Sequence, residues 1–177
     1  MLFVRDKVKS VKKNWEKIKY IKNPSIELQL IATKQNWNAI RFIENPSLET
    51  QLEAVYQNGC ALWYIKNPSE EVKIQAVKQD GHALKGIKSP SEAIQLAAVQ
   101  QYGYAIQYVK NPSYKVQCEA IKQNPRAIKY IKNPTKAIQL QAVMQDIMVI
   151  EFIEKPYRET LMYISDFFKH QAEKNKY

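Results

Sequence analysis

Seven of the eight prolines stand 22 residues apart, at Pro24, Pro46, Pro68, Pro90, Pro112, Pro134 and Pro156. A period of this size marks a solenoid. Each repeat is one supersecondary unit that cannot bury its apolar face alone, so neighbours must stack. Asn precedes five of the prolines (Asn23, Asn45, Asn67, Asn111, Asn133), and Ser or Thr follows six. An Asn N-cap with Pro at the first helical position predicts a helix start there: the Asn side chain satisfies an orphan N–H, and Pro has none to lose.

With Pro as position 0, apolar residues recur at offsets 4, 6, 8 and 9. Offset 8 is Ala in six successive units, from Ala32 to Ala142, and offset 9 runs Thr33, Val55, Val77, Val99, Ile121, Val143. At 100° per residue these positions cover much of a helix circumference and leave offsets 7, 10 and 11 outward. This is helix A, of about 12 residues, and it must be covered on several sides. It stops near offset 12, at Asn36, Asn58, Asp80 and Asn124, where Gly59, Gly81 and Gly103 suit the left-handed residue that ends a helix. A second apolar set follows at offset 15 (Ala39, Ala61, Ala83, Ala105, Ala127), offset 16 and offset 19. These spacings predict a short helix B of two turns, ended by the next Asn-Pro. The Ala columns let neighbouring layers approach closely.

The predicted fold is therefore all-α: a right-handed solenoid of stacked long and short helix pairs in one repeat domain. Residues 1–23 form a basic N-terminal cap, with Val8, Val11, Ile18, Tyr20 and Ile21 continuing the register backwards. Residues 24–155 hold six repeats. Residues 156–177 form a C-terminal cap helix, Tyr157 to roughly His170, and a polar tail.

The Asn-Pro-Ser start, the Ala-Val-x-Gln-Asn-Gly helix end and the Ala-Leu/Ile-x-Tyr-Ile-Lys second helix resemble short bihelical repeats of unknown function from bacteria, their phages and large DNA viruses. More distantly they resemble leucine-rich repeat variant and HEAT-like solenoids. The resemblance spans about residues 8–165. It implies a binding scaffold on a mobile element, placed where a host system is engaged or blocked, and it carries no catalytic residues.

Composition narrows the chemistry. Two histidines (His82, His170) and two cysteines (Cys60, Cys118) are too few for a zinc site of Cys and His alone or for a disulfide framework. Neither cysteine makes a nucleophile–base pair with sequence support. The expectation is no enzyme, no cofactor and no metal. With no 18-residue apolar run or signal-type h-region, a soluble, cytoplasmic protein with no membrane partner is expected. The net charge of +10 is uneven. Residues 1–23 carry eight basic and two acidic groups, residues 24–65 two and four, residues 66–136 twelve and five, and residues 137–177 five and six. Basic zones around an acidic one point to anionic partners.

Three columns are candidates for binding. Gln fills offset 5, broken only by Lys73, and all of offset 11. These rows read either as a ladder bonding neighbouring loops or as a row that reads bases or peptides. Offset 18 carries Tyr20, Phe42, Tyr64, Gly86, Tyr108, Tyr130 and Phe152, a stacking platform or half-buried filling between layers. Gly86 should leave a notch between Tyr64 and Tyr108, a candidate anchor site. Offsets 17 and 20 form an outward ridge of Arg41, Lys66, Lys85, Lys88, Lys110, Lys129 and Lys132 with Trp63 among them, Arg126 nearby, and Glu44, Glu151 and Glu154 closing the ends. With packed helices about 8–10 Å apart, the ridge runs for tens of ångströms.

The expected function is a non-enzymatic protein-interaction module of a phage or other mobile element. It would occlude a nucleic-acid-handling host complex, such as a defence complex, or cap an acidic patch. The alternatives are direct RNA or DNA binding along the ridge, and a bare scaffold whose lysines only solubilise.

Overall fold

The computed structural model describes residues 2–174, with side chains from Arg5 onward, so the last three residues of the expected polar tail lie outside the described residues. Helix occupies 75% of the chain, against about a third in ordinary globular proteins, and no strand occurs among the described residues. The described residues form eight α-helices: α1 (Leu2–Lys13), α2 (Ile26–Gln35), α3 (Leu48–Gln57), α4 (Glu70–Gln79), α5 (Glu92–Gln101), α6 (Tyr114–Gln123), α7 (Lys136–Gln145) and α8 (Arg158–Lys174). Between them lie seven short helices: η1 (Trp15–Tyr20), η2 (Trp37–Phe42), η3 (Gly59–Tyr64), η4 (Gly81–Gly86), η5 (Gly103–Tyr108), η6 (Pro125–Tyr130) and η7 (Ile147–Phe152). Each α-helix packs on the next, each η on the next, and each α on its own η. The chain is an all-α solenoid with two helical layers and a core between them.

The core is the set of columns expected from the period. Ala32, Ala54, Ala76, Ala98, Ala120 and Ala142 are fully buried, as are Ala39, Ala61, Ala83, Ala105 and Ala127 of the short helices. Thr33 stands where later repeats have Val or Ile, and its buried hydroxyl has no partner.

The local details differ from the sequence reading in several ways. The N-cap is the Ser or Thr after Pro, not the Asn before it: Ser25, Ser47, Ser69, Ser91, Ser113 and Thr135 accept the N–H three residues on. The Asn instead serves the turn. Asn23, Asn67 and Asn133 adopt left-handed φ of 47–51°, where Asn is tolerated better than most residues, and Ser89 does the same at 50°.

Helix B is a six-residue 3₁₀ helix rather than two α turns. At about 2.0 Å per residue, six residues span roughly 12 Å instead of about 9 Å, closer to the ten-residue α-helix beside them. Asn58 shows how the two elements join. It is extended (φ −153°), its N–H closes α3 on the Ala54 carbonyl, and its Oδ1 accepts from the Cys60 N–H at 2.9 Å to start η3. Helix A is correspondingly shorter than expected, at ten residues.

No glycine has positive φ, so Gly59, Gly81 and Gly103 are not left-handed helix ends. They are contact points between layers. A Cβ on Gly103 would stand 2.7 Å from the Ala120 carbonyl oxygen, and one on Gly59 would collide with that of Ala76. Their N–H groups donate across the same gap to Gln79, Gln101 and Gln123 Oε1 at 2.5, 2.7 and 2.6 Å. Offset 11, although outward on its helix, therefore stitches layers together, as the ladder reading of the Gln rows expects. Gln35 and Gln57 do so as donors, to the Val11 and Thr33 carbonyls at 2.9 and 2.8 Å.

The offset 5 glutamines hold the Asn-Pro loops. Gln29, Gln51, Gln95, Gln117 and Gln139 each donate to their own repeat's proline carbonyl at 2.9–3.3 Å. At the two outer joints the bond extends to the next layer. Gln29 Oε1 accepts from the Ser47 N–H and Thr50 hydroxyl, and Gln139 Oε1 from the Tyr157 N–H and Thr160 hydroxyl. The amide donors of this row are committed to the Asn-Pro loops, which supports the ladder reading.

Candidate interaction surface

The ridge forms because offsets 15, 16 and 19 of the repeats point into the core, leaving offset 17 near the end of each short helix and offset 20 in the bend just after it outside. The offset 20 lysines thus lie beyond the helix on which the sequence reading placed them. Arg41, Trp63, Lys66, Lys85, Lys88, Lys110, Lys129 and Lys132 are all exposed. Among the described residues no ion pair involves Lys66, Lys85, Lys88, Lys110 or Lys132. Five cations thus stand on a rigid frame without counter-ions. The ridge also extends further than Arg41. Lys19 and Lys22 of the cap occupy offsets 17 and 20 of the register that runs back from Pro24, and both are exposed beside Tyr20, itself 72% exposed. The sequence carried that signal in the cap's own alignment with the repeats.

The remaining basic candidates are partly occupied. The Arg41 guanidinium lies 4.8 Å from the Tyr64 ring centre, and Lys129 Nζ sits 4.9 and 4.8 Å from those of Tyr104 and Tyr130. Arg126 departs from the ridge. Its Nε lies 3.2 Å from Asp146 Oδ2 in the next layer, an exposed pair that draws the guanidinium along the array.

The offset 18 rings are wedged against an aromatic of the preceding layer. Phe42 lies against Trp15, Tyr64 against Trp37, Tyr108 against His82 and Tyr130 against Tyr104, with centroids 5.8–6.4 Å apart. The filling role explains these four rings, each of which joins two layers, while Tyr20 in the cap stays 72% exposed. Gly86 leaves no notch. The Trp63 ring of the preceding layer lies across it, so that a Cβ there would stand 2.5 Å from Trp63 Cδ1 and 2.6 Å from Nε1. Trp63 takes the place of the missing ring while remaining 51% exposed. The candidate anchor at this point is a protruding indole, not a hollow.

One constellation was not visible in the spacing. Cys60 Sγ lies 3.5 Å from Asp80 Oδ2, and Asp80 Oδ1 accepts from the His82 N–H at 2.9 Å and lies 3.1 Å from its Nδ1. His82 stacks on Tyr102 at 4.4 Å. The link joins offset 14 of one layer to offset 12 of the next, like Arg126 with Asp146. The order is wrong for nucleophilic catalysis, because the carboxylate rather than the imidazole faces the thiol. Burial, the hydrogen bond to Asp80 and its negative charge all push the Cys60 thiol up. Partial burial also acts to raise Asp80, but hydrogen bonds from the His82 N–H and ring and from Cys60 outweigh it and hold that carboxyl below its ordinary value.

Replacing Asp80 with Asn, the residue found at the same offset in Asn58 and Asn124, keeps the cap and removes the charge. Cys60 should then react several-fold faster with iodoacetamide near pH 8, because thiolate is the reactive form. An unchanged rate would show that Asp80 does not govern the thiol. The sign for stability follows from the depressed carboxyl. Its contribution is present above the ordinary Asp value near 3.9 and is lost as pH falls through the lower folded value.

Among the described residues no group of three His, Cys, Asp or Glu could hold a metal ion, and no helix is long and apolar enough to cross a membrane. The chain matches no family model, no curated protein and no solved structure.

Proposed function

We propose that this chain is a non-enzymatic interaction module whose 3₁₀ ridge docks on an acidic protein surface. The observation that carries the reading is the row of five unpaired lysines around the exposed, layer-bridging Trp63. Such a surface steers an anionic partner over distance and gives it one large anchor at contact. By the resemblance to phage and viral repeats, the module is a mobile-element product that blocks a nucleic-acid-handling host complex.

Direct nucleic-acid binding is the lesser reading because most of the rings are already in contact with other groups. Aromatics of the preceding layer hold four of them, and Arg41 and Lys129 lie over Tyr64 and Tyr130. A stacking platform needs open ring faces.

The test is co-purification from a bacterial lysate with and without nuclease, using the wild type and a variant with Lys66, Lys85, Lys88 and Lys110 changed to Glu. A protein retained after nuclease by the wild type and lost by the folded variant supports the reading. Loss with nuclease, with affinity falling by a logarithmic slope of about 0.9 per phosphate contact against salt, overturns it in favour of nucleic acid. A variant that keeps the partner makes the ridge a solvated face.

A further inference from the structure

The outer face of the α-helices, opposite the ridge, carries a surface of different chemistry. Between α3 and α4 runs an open groove of about 820 Å³. Leu52 and Ile74, both half-buried, form its floor, and Glu49, Glu53 and Glu71 line its sides. Tyr56, 70% exposed, stands at its carboxyl-terminal end near Lys78.

The charge here runs against the whole. In a chain of net charge +10, three carboxylates surround an aliphatic floor. Glu49 and Glu71 have no ion pair or hydrogen bond among the described residues, and Glu53 only accepts from Gln57 Nε2 at 2.7 Å. The corresponding stretch between α5 and α6 is unlike it. Ala93 and Ala97 replace the acids of the first helix, and Gln100 Nε2 reaches across to Glu119 at 3.3 Å. The groove is therefore not a by-product of the repeat.

We propose that this groove docks a basic amphipathic helix from a partner protein. Apolar side chains three and four residues apart would seat on Leu52 and Ile74 and against Tyr56, while Lys or Arg beside them meet Glu49, Glu53 and Glu71. An apolar helix stripe in a groove provides area, and flanking charges of opposite sign select the ligand. Because Lys78 leaves only the carboxyl-terminal end positive, the basic residues lie toward the amino ends of α3 and α4. This site is independent of the ridge and goes beyond it.

The probe is a fluorescein-labelled peptide of leucines and lysines at helical spacing. A scrambled peptide of the same composition and a leucine–glutamate peptide serve as comparisons, titrated by anisotropy against the full chain near physiological salt. The leucine–lysine peptide should bind at least tenfold more tightly than either, about 1.4 kcal/mol. Glu53→Lys with Glu71→Lys, and separately Tyr56→Ser, should each weaken it roughly tenfold. Lys85→Glu with Lys88→Glu on the ridge should leave it within about twofold. Amide shifts in the wild type, which need no variant to fold, should cluster on residues 49–56 and 71–78. Equal binding of the scrambled peptide, retention by both groove variants, shifts confined to the ridge, or no binding would overturn the proposal. So would a self-association abolished by Tyr56→Ser, which would make a second copy the occupant.

Discussion

Gly103→Ala and Ala98→Leu should each destabilise the array by roughly 1–3 kcal/mol, the usual cost of overpacking, whereas Gln100→Leu should stay within about 0.5 kcal/mol of wild type. All three positions lie on or just after α5, and propensity alone ranks them differently. Gly to Ala is ordinarily stabilising where the backbone permits it, and Gly103 has no positive φ to forbid it. The obstacle is the next layer. The added Cβ would stand 2.7 Å from both the Ala120 carbonyl oxygen and Gln123 Oε1. Backbone cannot swing aside as a side chain can, so the layers must separate and the 2.6 Å bond from the Gly103 N–H to Gln123 is stretched with them. Ala98 is fully buried, with its carbonyl against Gly81 of the preceding layer, while Gln100 is exposed and makes one long bond, to Glu119. Denaturant melts followed by circular dichroism would read the three variants. A neutral Gly103→Ala would mean that the glycines do not set the layer spacing.

Trp63→Ala should weaken the ridge's binding to its protein partner by about 30-fold, near 2 kcal/mol, the threshold of a hot spot. Gly86→Val should have the same effect without touching either the indole's identity or any ridge charge. A Cβ at position 86 falls 2.5 Å from Trp63 Cδ1, and the half-exposed ring must leave the surface on which it rests. Position 86 is itself exposed with ordinary φ, so folding should be little affected. The two variants therefore separate an anchor in its seat from an anchor displaced. The measurement is affinity for the co-purified partner, alongside a melt of each variant. If Gly86→Val binds as wild type does, the orientation of Trp63 is irrelevant and the lysines alone carry the ridge.

The candidate ridge was legible because exposure in a repeat follows from register. Once offsets 15, 16 and 19 are assigned inward, Lys66, Lys85, Lys88, Lys110 and Lys132 can only point out. Lys19 and Lys22 were not read as part of it, although the same register applied to the cap contains them. Arg126 departs from it, since its direction is decided by Asp146 twenty residues on, which belongs to another layer.

What the sequence alone determined is whatever one repeat settles within itself. The 22-residue period, the breaks between helices, the two Ala columns and the outward lysines arise from capping, proline geometry and amphipathic spacing, all interactions across a few residues. Only the tertiary structure decided how one layer meets the next. It set Trp63 across Gly86, turned the glycines from helix ends into contact points, paired Cys60 with Asp80 and gave the glutamines their carbonyl and N–H partners. Each of these depends on the rise and rotation between layers, which bring offset 14 beside the following offset 12 and offset 11 back against the layer before it. That displacement is set by the summed packing of two faces, and no single column of residues states it.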